Sequence, residues 1–210
     1  MMETPRTRMV ISHWWAQVAI LTFLAGFTVL GVMAYKVYRE HPPVPERVVD
    51  TSGEVVFTGR DIAAGQQVFR KYGLMQHGTI FGHGAYLGPD FTAEYLHKAG
   101  EAMLAFYSGG QSDKISAEVH QRVRDELKRN TWDAKTNAIT YTPGQVHAYR
   151  LMADYYRGWF GPFAGQQGLN RPHIGDPQEL HDLASYLSWA AWVCSTQRPG
   201  TNYSYTNNWP

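Results

Sequence analysis

Cysteine is nearly absent: Cys194 is the single thiol in 210 residues. One thiol makes no internal disulfide and cannot supply the two thioethers of a C-x-x-C-H haem attachment, so covalent haem c is excluded anywhere in the chain. Charge of one sign is missing too, since 19 Lys and Arg stand against 18 Asp and Glu for a net +1, with the basic residues spread along the chain. That distribution offers no electrostatic footprint for nucleic acid. No nucleophile elbow, phosphate loop or paired zinc motif is present, and no internal repeat or low-complexity tract. What is present is 44% apolar and 14% aromatic residues, enough for a packed body of ordinary domain size plus an appendage.

The appendage is apolar. Trp14 to Tyr35, WWAQVAILTFLAGFTVLGVMAY, is a run of 22 residues without a formal charge. At ~1.5 Å per helical residue it reaches roughly 33 Å, the depth of a bilayer core. Trp14, Trp15 and Tyr35 sit at its ends, where an aromatic belt belongs. A cleaved signal peptide is the competing reading, but its apolar region is shorter and ends in small residues, whereas this run ends in Tyr35, Lys36 and Tyr38. The spacing therefore predicts a retained anchor. Arg6 and Arg8 before it, against Lys36, Arg39 and Arg47 after it, leave the orientation undecided by charge.

Beyond the anchor, His41-Pro42-Pro43-Val44-Pro45 reads as a stiff spacer. Asp61 is the N-cap expected for a helix through Lys71 that Gly73 ends, with Gly65 and Phe69 on one face. Glycines at 73, 78, 82, 84 and 88 predict a tightly folded loop. Pro89-Asp90-Phe91-Thr92 opens a helix to about Tyr107. Residues 115–129 are amphipathic, with Val119, Val123 and Leu127 inward and Glu118, Arg122, Asp125 and Arg129 in water. Trp132 to Tyr141 predicts a short hairpin. Thr142-Pro143-Gly144-Gln145 is a capping box, and Asp176-Pro177-Gln178-Glu179 repeats the device before a last helix with Leu180, Leu183, Leu187 and Ala191 as its buried stripe.

Gly65-x-x-x-Phe69-x-x-x-Gly73, then HGTIFGHGAYLGPDFT from His77, YTPGQV from Tyr141 and RPGTNYSYTNNWP from Arg198 together resemble the N-terminal region of quinol-dependent nitric oxide reductases. The resemblance covers residues 10 to 210. In that family a membrane-anchored cytochrome c-like part that has lost its haem is fused to a multi-helix catalytic part. The implied fold is mainly α: a transmembrane helix at 14–37 after a cytoplasmic stretch at 1–13, a linker at 38–57, a cytochrome c-like domain with a small β-hairpin at 58–195, and a segment at 196–210 leading toward the catalytic part. In cytochrome c the first and last helices cross closely, a glycine of one admitting an aromatic of the other, and Gly65, Phe69 and the run Leu183-x-x-Tyr186-Leu187 supply those parts.

Against the haem-bearing relatives, Leu74 and His77 fall where the two thiols would be and Gly78 where the axial histidine would be. The axial methionine is lacking as well, since no methionine follows Met152. The vacated space is expected to be filled by side chains including Phe81, Tyr86 and Trp159. The resemblance also implies that Gly84 and Tyr86 contribute to a calcium site completed elsewhere in the full enzyme. The implied reaction is 2 NO + 2 e⁻ + 2 H⁺ → N₂O + H₂O. Its haem b groups, non-haem iron and calcium belong to a full enzyme, with no cofactor and no catalytic residue expected in this chain. The implied partners are the catalytic transmembrane part and membrane lipid, with the main domain periplasmic at a bacterial inner membrane. Another reading is a haem- or metal-binding electron carrier using His77 and His83, although their six-residue spacing without a nearby carboxylate or thiol is a weak ligand pattern. The other seven histidines and Cys194 read as packing residues.

Overall fold

The computed structural model describes residues 12–82, 88–110, 115–161 and 173–207. The chain divides into two units, Met1–His41 and Pro42–Pro210. The first contains helix α1, His13–Arg39, which buries none of its residues. Helix α1 is long and apolar enough to cross a membrane. The hydroxyls of Thr22 and Thr28 donate to the carbonyls of Val18 and Leu24, at 2.9 and 2.8 Å. Such bonds satisfy polar groups inside the helix itself, as an apolar solvent demands.

The second unit combines a small sheet with five helices among the described residues. Strand β1 (Arg47–Val49) pairs antiparallel with β2 (Val55–Thr58) and parallel with β4 (Ala138–Thr140), and β4 pairs antiparallel with β3 (Trp132–Asp133). The strand order is β2-β1-β4-β3. The hairpin expected at Trp132 to Tyr141 is thus the β3–β4 half of a four-stranded sheet. The other half, β1 and all but the last residue of β2, lies within 38–57, which the sequence presents as a linker. Val48 faces Ile139 across the parallel pair, and both are about 1% exposed. Nor does the proline run stand off as a spacer: Pro45 is buried, and the Trp189 indole donates to the Pro43 carbonyl at 3.0 Å.

Capping chemistry sets the helix starts. Helix α2 (Gly59–Lys71) begins at Thr58 rather than at Asp61. Asp61 occupies the third helical position of a capping box: its carboxylate accepts from the Thr58 amide at 2.8 Å while its own amide donates to the Thr58 hydroxyl at 3.4 Å. Asp90 caps α3 (Phe91–Tyr107) and Ser116 caps α4 (Ala117–Lys128). Thr142 and Gln145 form the expected box at α5 (Pro143–Phe160). Asp176 caps α6 (Pro177–Ser195) by accepting from the Gln178 amide, without a reciprocal box. The reason is that Glu179 is engaged elsewhere, accepting from Lys71 at 2.5 Å and from the Tyr72 hydroxyl at 2.7 Å.

Helix α6 is the centre of the body. Every residue from Leu180 to Cys194 is buried except His181, so a full cylinder is covered instead of the single stripe expected. Helix α2 crosses it at Gly65, where a β-carbon would come within 2.0 Å of the Asp182 carbonyl oxygen and 2.7 Å of the Tyr186 β-carbon. Only glycine lets two backbones meet this closely. The Phe69 and Tyr186 rings lie 5.9 Å apart beside the crossing. The serines of α6 are matched inside the core: Ser188 bonds Tyr95 and Tyr141, and Ser185 bonds Tyr149. Residues 196–207 fold back on the body, with a bridge between Gln197 and Ser204 and the Tyr205 ring 5.6 Å from Trp192.

Candidate functional site

A 3₁₀ turn, Leu74–Gln76, follows α2 and leads into Gly78. Leu74 is fully buried. A β-carbon on Gly78 would meet the Phe91 ring at 2.5 Å and the Pro89 carbonyl oxygen at 2.6 Å. Phe91 is held there by its backbone: its amide donates to the Thr79 carbonyl at 2.7 Å, and the Thr79 amide donates to the Pro89 carbonyl at 3.0 Å. Asp90 locks the same corner, accepting from the Gly82, Thr92 and Ala93 amides at 2.7, 3.0 and 2.9 Å. Burial works to raise its pKa, but these bonds together with those from the Thr92 and Thr79 hydroxyls hold its carboxyl below the usual range.

From Phe91 an aromatic column continues inward. Its ring lies 6.0 Å from Phe69 and 6.1 Å from Phe160, and Phe160 stacks on Tyr156 at 6.3 Å. These edge and stacked contacts fill the space in front of Gly78. Of the side chains expected to do so, Phe81 and Trp159 are partly buried against the core, and Tyr86 lies outside the described residues. The principal filler, Phe91, is a residue that the sequence presents only as a helix start. A small pocket deeper in the core, lined by Tyr95, Met103, Tyr141 and Ser188 among others, holds about 30 Å³. That is space for a water, not for a porphyrin.

His77 is half-buried just before Gly78. His83, Gly84 and Tyr86 lie outside the described residues, so neither the His77–His83 pairing nor the calcium reading has a geometry here. The same holds for most of the segment before α6 that would carry an axial methionine.

The Tyr156 hydroxyl, at the end of the column, is buried without a hydrogen-bond partner among the described residues, and burial pushes its pKa well up. An unmet buried hydroxyl costs roughly 1–3 kcal/mol, which phenylalanine would not incur. Tyr156→Phe is therefore expected to stabilise the protein by about 1 kcal/mol, or roughly 2–4 °C in Tm for a body of this size. A thermal melt showing a loss of stability would reveal a partner for that hydroxyl.

A second constellation lies at the α2–α6 crossing. Donor atoms of Asp61, His181 and Asp182 all fall within 4.8 Å of one another, and His181 Nε2 is 3.8 Å from Asp61 Oδ2. Asp182 is 7% exposed, and its Oδ1 accepts from Gln178 at 2.8 Å. Burial raises its pKa, the Gln178 bond lowers it and the Asp61 charge raises it further. His181 reads in sequence as a packing residue because its carboxylate neighbours are one adjacent in the chain and one on a distant helix.

A helical body whose first and last helices cross at a glycine, in a chain whose single cysteine cannot supply the two thiols that attach haem c, has the features of a cytochrome c-like domain. The family model for the NorB cytochrome c-like domain of nitric oxide reductase matches residues 45–210. The chain belongs to that family. No curated protein matches it.

Proposed function

We propose that this chain is the N-terminal structural part of a quinol-dependent nitric oxide reductase, anchored by α1 at a bacterial inner membrane. Its body caps the periplasmic face of the catalytic transmembrane part. It carries no electron itself and contributes no catalytic residue, because the haem b groups and non-haem iron are held by that other part. The observation that carries this reading is the closure at Gly78, where the Phe91 ring stands in the space an axial ligand would need. A packed interior of this kind supports assembly and shape better than redox chemistry, since a domain of this size does not tolerate an empty haem-sized void.

Titration of the full chain in detergent with haemin tests it. The expected result is no saturable one-to-one complex and no Soret band beyond that of free and detergent-bound haemin. A stoichiometric complex abolished by His77→Ala would overturn the structural reading in favour of an electron carrier. Co-expression with the catalytic transmembrane part is expected to give a stable co-purifying assembly, and two parts that never associate would remove the capping role.

A further inference from the structure

We propose that Asp61, His181 and Asp182 form a binding site for a divalent transition metal of the zinc class at the α2–α6 crossing. One imidazole nitrogen and two carboxylates suit such an ion, with the remaining positions left to water. The donor atoms lie within 4.8 Å of one another. Ligands around one zinc, each at ~2.0–2.2 Å, stand about 3–4 Å apart, so side-chain adjustments of about an ångström close the site.

The surrounding bonds prepare each ligand. Ser185 has one hydroxyl proton, which it donates to the His181 carbonyl at 2.9 Å. The Tyr149 hydroxyl must then be the donor to Ser185 at 2.9 Å, which leaves its oxygen to accept from His181 Nδ1 at 3.4 Å. A proton is thereby assigned to Nδ1, and Nε2 is the ring atom that faces the Asp61 carboxylate at 3.8 Å. This arrangement, a ligating imidazole fixed through its other nitrogen, is how metal-binding histidines are oriented.

The two carboxylates are equally constrained. Asp61 is held by the capping box with Thr58, whose amide and hydroxyl both reach Oδ2, and this fixes the direction of the carboxylate. Asp182 is buried, and its backbone is pinned where Gly65 meets its carbonyl. Its Oδ1 is met by Gln178, while no described donor reaches Oδ2. Two carboxylates and an imidazole gathered within 4.8 Å, one of the carboxylates on a residue only 7% exposed, suit a bound cation. His181 is half-exposed, so an ion has a route in from solvent.

The test uses the full chain in detergent, stripped of metal with a chelator and dialysed against zinc chloride, with bound metal measured by elemental analysis. One equivalent is expected to bind saturably, and cobalt in its place to give visible d–d bands. His181→Gln and Asp182→Asn are each expected to weaken binding by about 10-fold or more, with the helical circular dichroism unchanged. Tyr149→Phe, which never touches the ion, is expected to weaken it by about 10-fold through loss of the ring orientation. No saturable zinc binding, or binding unaltered in both ligand variants, overturns the site. Either result leaves the haemin experiment untouched, because that one interrogates Gly78 and Phe91.

Discussion

Gly65→Leu is expected to destabilise the protein by about 3 kcal/mol, at the upper end of what overpacking a core costs. A β-carbon at this position would lie 2.0 Å from a backbone oxygen of α6, and backbone cannot swing aside as a flexible side chain would. The helices must separate, and separation strips contacts from Phe69 and Tyr186 as well. For a body of this size the loss corresponds to roughly 6–12 °C in Tm. Gly100→Ala in α3 supplies the opposite sign, since a β-carbon there meets nothing within 4 Å. Removing backbone freedom from the unfolded chain at a compatible helical position is expected to stabilise by about 0.5–1 kcal/mol. Denaturant unfolding of both variants decides the matter, and a Gly65→Leu variant as stable as the parent would mean that α2 and α6 do not cross at this glycine.

That crossing was readable in the sequence because its signal is local and chemical. A glycine costs about 1 kcal/mol in a helix interior, and one placed four residues before an aromatic, matched by Tyr186 near the far end of the domain, is best explained by close approach. The caps at Thr142 and Asp176 were readable for the same reason. Strands β1 and β2 were not. Each has only three or four residues, too few for alternation to register, and β1 finds its parallel partner in β4 some ninety residues away. The all-round burial of α6 was hidden as well, because Ser185 and Ser188 look solvent-facing until tyrosine hydroxyls from α3, α5 and the chain before α5 are seen to meet them.

The cluster at Asp61, His181 and Asp182 was illegible for a different reason. Ligand spacing in sequence reveals a site only when the ligands share one element, and here the decisive proximity comes from the packing of the first helix of the body on the last. Asp61 carries a complete local explanation as part of a capping box, and His181 and Asp182, adjacent on a helix, show no ligand periodicity. The glycine that fixes the crossing also fixes the cluster, since Gly65 packs on the backbone of Asp182 itself.

Phe91→Ala is expected to cost about 3–5 kcal/mol, the range for truncating a fully buried aromatic. Phe91 is 0% exposed and bridges Phe69, Phe160 and Gly78, so neighbours tied to three different segments would have to move to refill its volume. The packing in front of Gly78 is tested more sharply by pairing it with Gly78→Ala. Alone, Gly78→Ala is expected to destabilise by about 1–3 kcal/mol, because its new methyl would stand 2.5 Å from the Phe91 ring. In the double variant that ring is gone and the methyl enters the space it leaves. The combined loss is therefore expected to fall short of the sum of the two by about 1 kcal/mol or more, a coupling of the size that contacting residues give. Strictly additive losses would mean that Phe91 does not fill the space in front of Gly78, and the structural role proposed from that closure would lose its basis.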